Sequence, residues 1–508
     1  MSDNSLRKIV IAGGVRIPFC RSNTLYADQS NQDMLAAAIQ GLVERHGLHG
    51  KQLDQVLAGA VTTHSKDWNL AREAVLSTSL SPLTPAVTLQ QACGTSLQAA
   101  LLAGSQIAAG QIECAIVAGT DTTSDAPVVF QRRFAQRLIR LSKARTLGQK
   151  LKVFKGFSFS EMAPQPPRNA EPRTGLSMGQ HCERMAREWQ IERTEQDALT
   201  VESHRKAAAA WDAGFFDDLV IPHNGVIRDN IIRPDTSLEK LASLKPAFDR
   251  KQGSLTAGNS TTLSDGAAAV LICSEEWARA NDLPIRAYLS AGRAAAVDFA
   301  DRDEGLLMAP TVAVSEMLTR TGLGLKDFDF YEIHEAFAAQ VLCTLKAWES
   351  DRYCRERLGL DGALGSIDRS RMNVRGGSVA IGHPFAATGA RILSTLTAIL
   401  EQAGSGRGLI SVCTAGGMGV AAIVERPGAS PARPTRKTKT ETQVEPEKKR
   451  STTRKKKKKA AGGAAKGDGS PKRPNRKKVR ATAASETSEN AELKQQEGDS
   501  SGPAGAKS

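Results

Sequence analysis

Four short stretches of this 508-residue chain carry side chains that can make or break covalent bonds. Gln91-Ala92-Cys93-Gly94-Thr95-Ser96 sets a thiol on a tight turn that opens a helix. Unpaired N–H groups and the positive dipole end at such a position lower a thiol pKa and favour the nucleophilic thiolate. Gly382-His383-Pro384, preceded by Gly376-Gly377-Ser378-Val379-Ala380-Ile381, sets an imidazole on a second turn, again ahead of an Ala-rich helix. If the fold joins the two turns, that histidine can lower the cysteine pKa or donate to a developing oxyanion. Cys413-Thr414-Ala415-Gly416-Gly417-Met418-Gly419 reads as a second, exposed thiol at the carboxyl end of a buried strand, suited to moving a proton. The backbone there can also present N–H groups to an anion. His334-Glu335-Ala336-Phe337 stands at another strand end, where His334 can hold a water or bind substrate. Taken one at a time, His334 and His383 read as structural histidines.

The elements that must position these residues alternate between strand and helix. An apolar run Lys8 to Ala12 leads to a helical pattern Asp33–His46, with Asn31 or Asp33 as cap, and a strand Gln55–Val61. After the Cys93 turn come a small-residue helix Ser96–Ala109 and a buried strand Cys114–Gly119. A second cycle starts near Arg286: strand to Ser290, helix Thr311–Thr321, strand Phe328–Ile333 and helix Glu335–Trp348. The His383 turn, a helix Thr388–Gln402 and strands Leu409–Cys413 and Gly419–Glu425 complete it. Both cycles set a reactive residue on a glycine turn before an Ala-rich helix and a buried strand, which predicts an α/β fold with a weak internal duplication. The irregular segment from Asp121 to Ser254 reads as an inserted lid or loop domain. Within it Gln131 to Ser160 holds nine Lys/Arg and no acid. Phe134, Leu138, Leu141 and Leu151 fall at helical spacing, so the stretch reads as a basic amphipathic helix broken near Gly148, or as a solvated face packed on the body.

Charge separates the body from the end of the chain. Of the formal +14, the segment Pro427 to Ser508 supplies +13, with 22 Lys/Arg against 9 Asp/Glu and no aromatic residue. Such a tail cannot bury enough apolar surface to offset its ordering entropy, so it is expected to be disordered and to meet polyanions without selectivity. A basic nucleic-acid-binding fold is thereby excluded as the main body. No apolar run approaches the roughly 18 residues a bilayer span needs, and Met1 to Lys8 lacks a signal-peptide core, so a soluble, cytoplasmic, unsecreted protein is expected. Eight scattered cysteines without a C-x-x-C pair argue against disulfides and zinc, and no metal is expected.

Together the four motifs resemble the thiolase family, over essentially Arg7 to Arg426. Arg16-Ile17-Pro18-Phe19, Asp265-Gly266-Ala267-Ala268-Ala269 and the spacing of His383 from Cys413 belong to the same likeness. Within the family the chain is most similar to 3-ketoacyl-CoA thiolases of the fatty-acid-oxidation trifunctional-complex β-subunit type: it has His334 in place of asparagine, Ala415 in place of glycine, and a long interval from Lys346 to Ile367. The resemblance implies a duplicated five-layered α-β-α-β-α fold, with an N-terminal half at 1–120 plus 255–280, a loop domain at 121–254, a C-terminal half at 281–426 and a tail at 427–508.

It also implies roles. Cys93 would attack the 3-keto carbon and become acylated, and Cys413 would protonate the departing acetyl-CoA enolate and then deprotonate CoA. His383, with a water held by His334, would stabilise the thioester oxygen, and the N–H groups of Cys93 and Ala415 would form a second oxyanion hole. Met178, Phe248, Ala257, Gly258 and Thr261 would contact CoA, with Ala336 and Phe337 on the acyl side. CoA would be a co-substrate, with no bound cofactor. A homodimer or homotetramer is implied, with a hydratase–dehydrogenase α subunit and an anionic membrane surface as further partners. A biosynthetic acetyl-CoA acetyltransferase, a ketosynthase-like enzyme built on Cys93, His334 and His383, and a non-catalytic lipid- or polyanion-binding protein remain alternatives.

Overall fold

A computed structural model of the protein describes residues 6–167, 170–302, 304–426 and 428. The Lys-rich tail, and the expectations placed on it, lie outside the described residues. Among the described residues, no helix is long and apolar enough to cross a membrane.

Nine strands follow one another across a single sheet. Their order is Phe330–Ile333, Gly406–Thr414, Met418–Arg426, Ala287–Ala296, Ile9–Arg16, Ser264–Ser274, Cys114–Asp121, Gln55–Gly59 and Ala86–Thr88, and Cys20–Arg21 pairs with Ser264–Ser274 off this path. The sheet is continuous only through a narrow seam, where Val10 and Ile11 face Tyr288 and Ala287. On either side of that seam the two halves fold back to enclose the helices Thr95–Ala108 and Thr388–Ala403, which pack on each other and on strands of both halves. Asn31–Arg45 and Leu70–Leu76 cover the outer face of the N-terminal half, and Ala309–Thr321 and Ala338–Glu349 cover the other. Five layers result, as expected for the duplicated α/β fold.

Small side chains set the thickness of the central layer. A Cβ on Gly389 would lie 2.4 Å from Leu97 N, and one on Gly119 would lie 2.0 Å from Ala386 O. Ser96 Oγ donates to Ala386 O at 2.5 Å and accepts from Ala390 N at 2.8 Å, stitching the Cys93 helix to the His383 helix. Around these polar stitches Leu97, Leu393, Leu396 and Val420 are fully buried, and each such side chain stabilises the layer by roughly 2 kcal/mol.

Several local expectations shift for identifiable reasons. Ser30, not Asn31 or Asp33, caps the first helix, and Asp33 closes a reciprocal capping box with it. The helix expected from Glu335 begins at Ala338, with Phe337 extended as its cap and bridged to Ser260. The strand from Arg286 runs on to Ala296, held by its antiparallel pairing with Met418–Arg426. The basic segment forms two helices, Arg132–Lys143 and Leu147–Val153, and the break falls at Thr146, which caps the second through Gln149. Gly148 lies inside that second helix.

Most apolar residues of this segment remain in solvent. Phe134 is buried, whereas Val128, Val129, Phe130, Ile139, Leu147, Leu151 and Phe159 are exposed. Arg137 pairs with Glu161 at 2.7 Å and donates to Gly156 O at 3.0 Å, fixing the fold of the hairpin. The rest of the insertion is held to the body by a buried, fully bonded ion pair. Asp229 accepts from Arg16 Nη1 at 2.6 Å and Nη2 at 2.7 Å, and also from Phe19 N and Trp211 Nε1.

Candidate active site

The turns carrying Cys93 and His383 meet at the centre of the molecule. Each stands at the mouth of one of the two enclosed helices, so packing those helices together brings the reactive side chains into contact. Cys93 Sγ lies 3.1 Å from His383 Nε2, and His383 Nδ1 lies 2.5 Å from Thr388 Oγ1. The Thr388 hydroxyl also points at Pro384 O, at 3.4 Å, which leaves its oxygen to accept from Nδ1–H. The unprotonated Nε2 then faces the thiol as an acceptor. Ala92, immediately before Cys93, has φ +46°, a left-handed conformation that is costly for a residue with a Cβ.

His334 completes the cluster. Its ring centroid is 4.2 Å from that of His383, and the ligand-capable atoms of Cys93, His334 and His383 lie within 4.8 Å of one another. His334 Nδ1 is 2.8 Å from Ser378 Oγ, while its Nε2 is buried without a partner among the described residues. Cys413 belongs to the same pocket: a charge on Cys93 raises its pKa, and it is 1 % exposed. The expected exposed thiol is thus corrected to a buried one, enclosed by Leu255, Phe337 and Leu342 of the surrounding apolar cluster. The backbone N–H groups of Ala415 and Cys93 favour a negative charge on the Cys93 sulfur, so an anion at that atom meets two backbone dipoles.

Electrostatics at the site run against the expectation of a resting thiolate. Burial pushes the Cys93 thiol up to about 12, outweighing the two N–H donors, with Asp121 adding to the rise. Burial, helped by the positive charge of Arg391, pulls His383 down to about 3. His334 is held well below its ordinary value by burial and by its two cationic or imidazole neighbours, His383 and Arg391. The helix end is present, but desolvation is the larger effect, so the resting pair is a neutral thiol donating to a neutral imidazole.

Residues 9–276 match the family description "Thiolase, N-terminal domain", and residues 284–426 match "Thiolase, C-terminal domain". The chain belongs to the thiolase family. It is 42% identical over 424 residues to a 3-ketoacyl-CoA thiolase of Yersinia pestis (strain Pestoides F), covering 82% of this chain and 97% of that one. A 3-ketoacyl-CoA thiolase of Yersinia pseudotuberculosis serotype O:3 (strain YPIII) matches to the same extent. Among solved structures it is similar to the acetyl-CoA acetyltransferase of Bacillus anthracis, with TM-score 0.69 and 30% identity over 83% of this chain and 100% of that one. It is also similar to the Acat5 thiolase of Ascaris suum in complex with coenzyme A, with TM-score 0.69 and 26% identity over the same shares.

This thiolase has a pocket of about 170 Å³ beside the cysteine–histidine cluster, lined by Ala257, Gly258, Ser260, Thr262 and Val379, with Arg233 and Lys240 at its wall. Of the sequence-derived contact residues, Ala257 and Gly258 line it directly. Thr261 is not among its lining residues and spends its hydroxyl on Ala336 O at 3.1 Å. Met178, Phe248, Ala336 and Phe337 gather instead in the apolar cluster around Cys413, where Phe248 and Phe337 meet edge to face at 5.8 Å.

Sequence reasoning missed the residues that hold the turns in place. Asp121 accepts from Val61 N, Thr62 N and Ala386 N, tying the end of one strand to the His383 turn. Glu335 accepts from Asn373 Nδ2 at 2.6 Å, Ser203 Oγ at 2.8 Å and Val379 N at 3.2 Å, and a Cβ on Gly377 would strike it. Arg233 and Lys240 carried no motif at all.

His204, also on the pocket wall, accepts from Arg233 N at 3.1 Å, and burial plus the Arg233 charge lowers it to about 4. The folded state therefore binds a proton less readily than the unfolded chain. Its contribution to stability is complete above pH 6.5 and is lost as pH falls toward 4, by about 1.4 kcal/mol per unit. Replacing His204 with glutamine is expected to flatten the acid limb of the stability curve by that slope, measured as urea midpoints between pH 7 and pH 4. Parallel curves for the two proteins would show that His204 does not titrate in this way.

Proposed function

We propose that the protein is a 3-ketoacyl-CoA thiolase that cleaves 3-ketoacyl-CoA with free CoA to acetyl-CoA and a shortened acyl-CoA. The observation that carries this reading is the approach of Cys93 Sγ to His383 Nε2 at 3.1 Å, with a second buried thiol, Cys413, near enough to feel a charge on Cys93. As Cys93 attacks the 3-keto carbon its proton passes to His383 Nε2. Carbon–carbon cleavage then releases the acetyl-CoA enolate, whose oxygen faces His334 and whose carbon takes the proton of Cys413. CoA next gives its thiol proton to the Cys413 thiolate and attacks the acyl group on Cys93. The Cys93 sulfur then leaves the acyl carbonyl carbon and recovers its proton from His383.

The N–H groups of Cys93 and Ala415 hold the oxyanion of the acyl-cysteine steps, where one such donor is worth about 3 kcal/mol. CoA would thread past Ala257 and Gly258 with Arg233 and Lys240 near its phosphates, as a co-substrate and not a resident cofactor. Consumption of acetoacetyl-CoA and of a longer 3-ketoacyl-CoA, with and without CoA, tests the reading and separates a degradative from an acetoacetyl-specific enzyme. Turnover that ignored free CoA would favour a ketosynthase-like enzyme, which the Cys93, His334 and His383 trio alone would also fit.

The same proposal includes a dimer. The strand Ala86–Thr88 pairs on one side only among the described residues, and Val87, Leu83 and Trp68 beside it are exposed, Trp68 by 93%. An unpaired, apolar edge of this kind suits pairing with a second copy of the chain. Trp68→Glu with Val87→Lys is expected to yield monomers by light scattering at micromolar concentration; an unchanged mass would remove this edge as the interface.

The basic hairpin around Arg133, Arg140 and Lys152 sets exposed phenylalanine and leucine beside its cations, which suits an anionic membrane surface. Each lysine or arginine near such a surface contributes about 1 kcal/mol. Reversing these three to glutamate, with the Arg137–Glu161 pair left intact, is expected to reduce co-sedimentation with phosphatidylglycerol vesicles by at least about 100-fold. Equal sedimentation would refute membrane docking through this hairpin.

A further inference from the structure

Behind His334 lies a buried arginine that no step of the reaction touches. Arg391, on the helix Thr388–Ala403, is 1 % exposed. Its carboxylate neighbour Glu332 stands 3.8 Å away, outside hydrogen-bond range. Its only hydrogen bond among the described residues runs from Nη2 to Ser378 Oγ, at 2.6 Å. A desolvated guanidinium is costly, and committing its one bond to a neutral serine in preference to the nearby carboxylate is not what stability alone would select.

The direction of the bonds follows from donor chemistry. Arginine can only donate, so Ser378 Oγ accepts from it. Ser378 has one proton of its own, and His334 Nδ1, at 2.8 Å, is its one acceptor among the described residues. His334 therefore accepts at Nδ1 and carries its proton on Nε2, the atom beside His383 that is buried without a partner among the described residues.

We propose that Arg391, acting through Ser378, is a positioning residue that fixes His334 as the Nε2–H tautomer and so gives the site a donor for the enolate oxygen. The positive charge of Arg391 also opposes protonation of His334, which keeps that donor neutral. With the tautomer released, part of the enzyme would present a lone pair to the developing oxyanion and would repel it.

The inference rests on the thiolase reading of the site, and its test reads the resting enzyme so that the two can fail separately. Full-length protein labelled with ¹⁵N-histidine is compared by long-range proton–nitrogen correlation and by steady-state thiolysis, with the His334 signals assigned through His334→Gln. The wild type is expected to show a protonated Nε2 and a bare Nδ1 at residue 334. Ser378→Ala is expected to show mixed tautomers, with kcat about 10- to 100-fold lower and KM for the acyl-CoA within about twofold. Arg391→Lys, which keeps a donor, should hold kcat within about threefold.

Removing the arginine alone strands Glu332 in the core, so a further variant joins Arg391→Met to Glu332→Gln; it is expected to behave as Ser378→Ala does. A proton on Nδ1 in the wild type would overturn the proposal. So would an unchanged tautomer and unchanged kcat in Ser378→Ala. A wild type that shows the expected tautomer but does not cleave 3-ketoacyl-CoA would strike the functional reading and leave the positioning role of Arg391 standing.

Discussion

Cys93→Ala is expected to lower turnover of 3-ketoacyl-CoA by at least about 10⁴-fold, because the acyl group then has no sulfur to occupy. Cys93 is half-buried on a turn whose shape is set by Ala92 and by the Thr95 hydroxyl, which donates to Ala92 O at 2.7 Å. Loss of one sulfur atom leaves those contacts in place, so circular dichroism and the melting temperature should stay near those of the wild type. A variant that remained folded and retained even a tenth of the activity would exclude Cys93 as the nucleophile. Because the thiol is neutral at rest, pushed up to about 12 by burial, the wild type should also react slowly with iodoacetamide at pH 7.

Cys413→Ala removes the proton carrier and leaves the nucleophile, and is expected to lower thiolysis by about 10³-fold, within the range for a positioned acid or base. A second measurement isolates the role. In deuterated water the wild type should exchange the methyl hydrogens of acetyl-CoA, and the variant should lose that exchange to a similar degree. Transfer of one acetyl group to Cys93 expels CoA sulfur, which takes the proton of Cys413, and the thiolate left there removes a methyl proton from a second acetyl-CoA. Burial raises Cys413 well above its usual value, with the neighbouring Cys93 adding to the rise, so it is a weak acid until an enolate is beside it. Such a group gives up its proton to a stronger base and not to solvent, which limits wasteful exchange in the empty enzyme. Persistent exchange in Cys413→Ala would assign the proton transfer to another residue.

The alternation of elements was legible in the sequence because residues 114–119 form a continuous apolar run, residues 408–413 are apolar but for Ser411, and the two enclosed helices carry many small side chains. The reactive residues were legible only in combination: singly, His334 and His383 read as structural histidines, and it is the four motifs together that resemble the thiolase family. What could not be read was distance-dependent. Whether the Cys93 thiol meets a helix dipole or a dry pocket is decided by residues some 290 positions away, and the dry pocket wins. Ser378, Thr388 and Arg391 looked like ordinary small or charged residues, and their bonds to the two histidines exist only once both turns are in place. The break in the basic segment, expected near Gly148, falls two residues earlier because the Thr146–Gln149 capping box starts the second helix there.

The two glycines that let the His383 turn and its helix press against the N-terminal half have a bearing on how this enzyme could change over time. Gly119 and Gly389 face backbone at separations that admit no further carbon atom, so one added methyl would act as a shim, wedging the halves apart far from any substrate. The gap between sulfur and imidazole is therefore gauged by residues that never meet the reactants. Descendants could exchange pocket walls freely and gain new acyl specificities, yet any lineage that fattened this joint would lose its chemistry without altering a single reactive side chain.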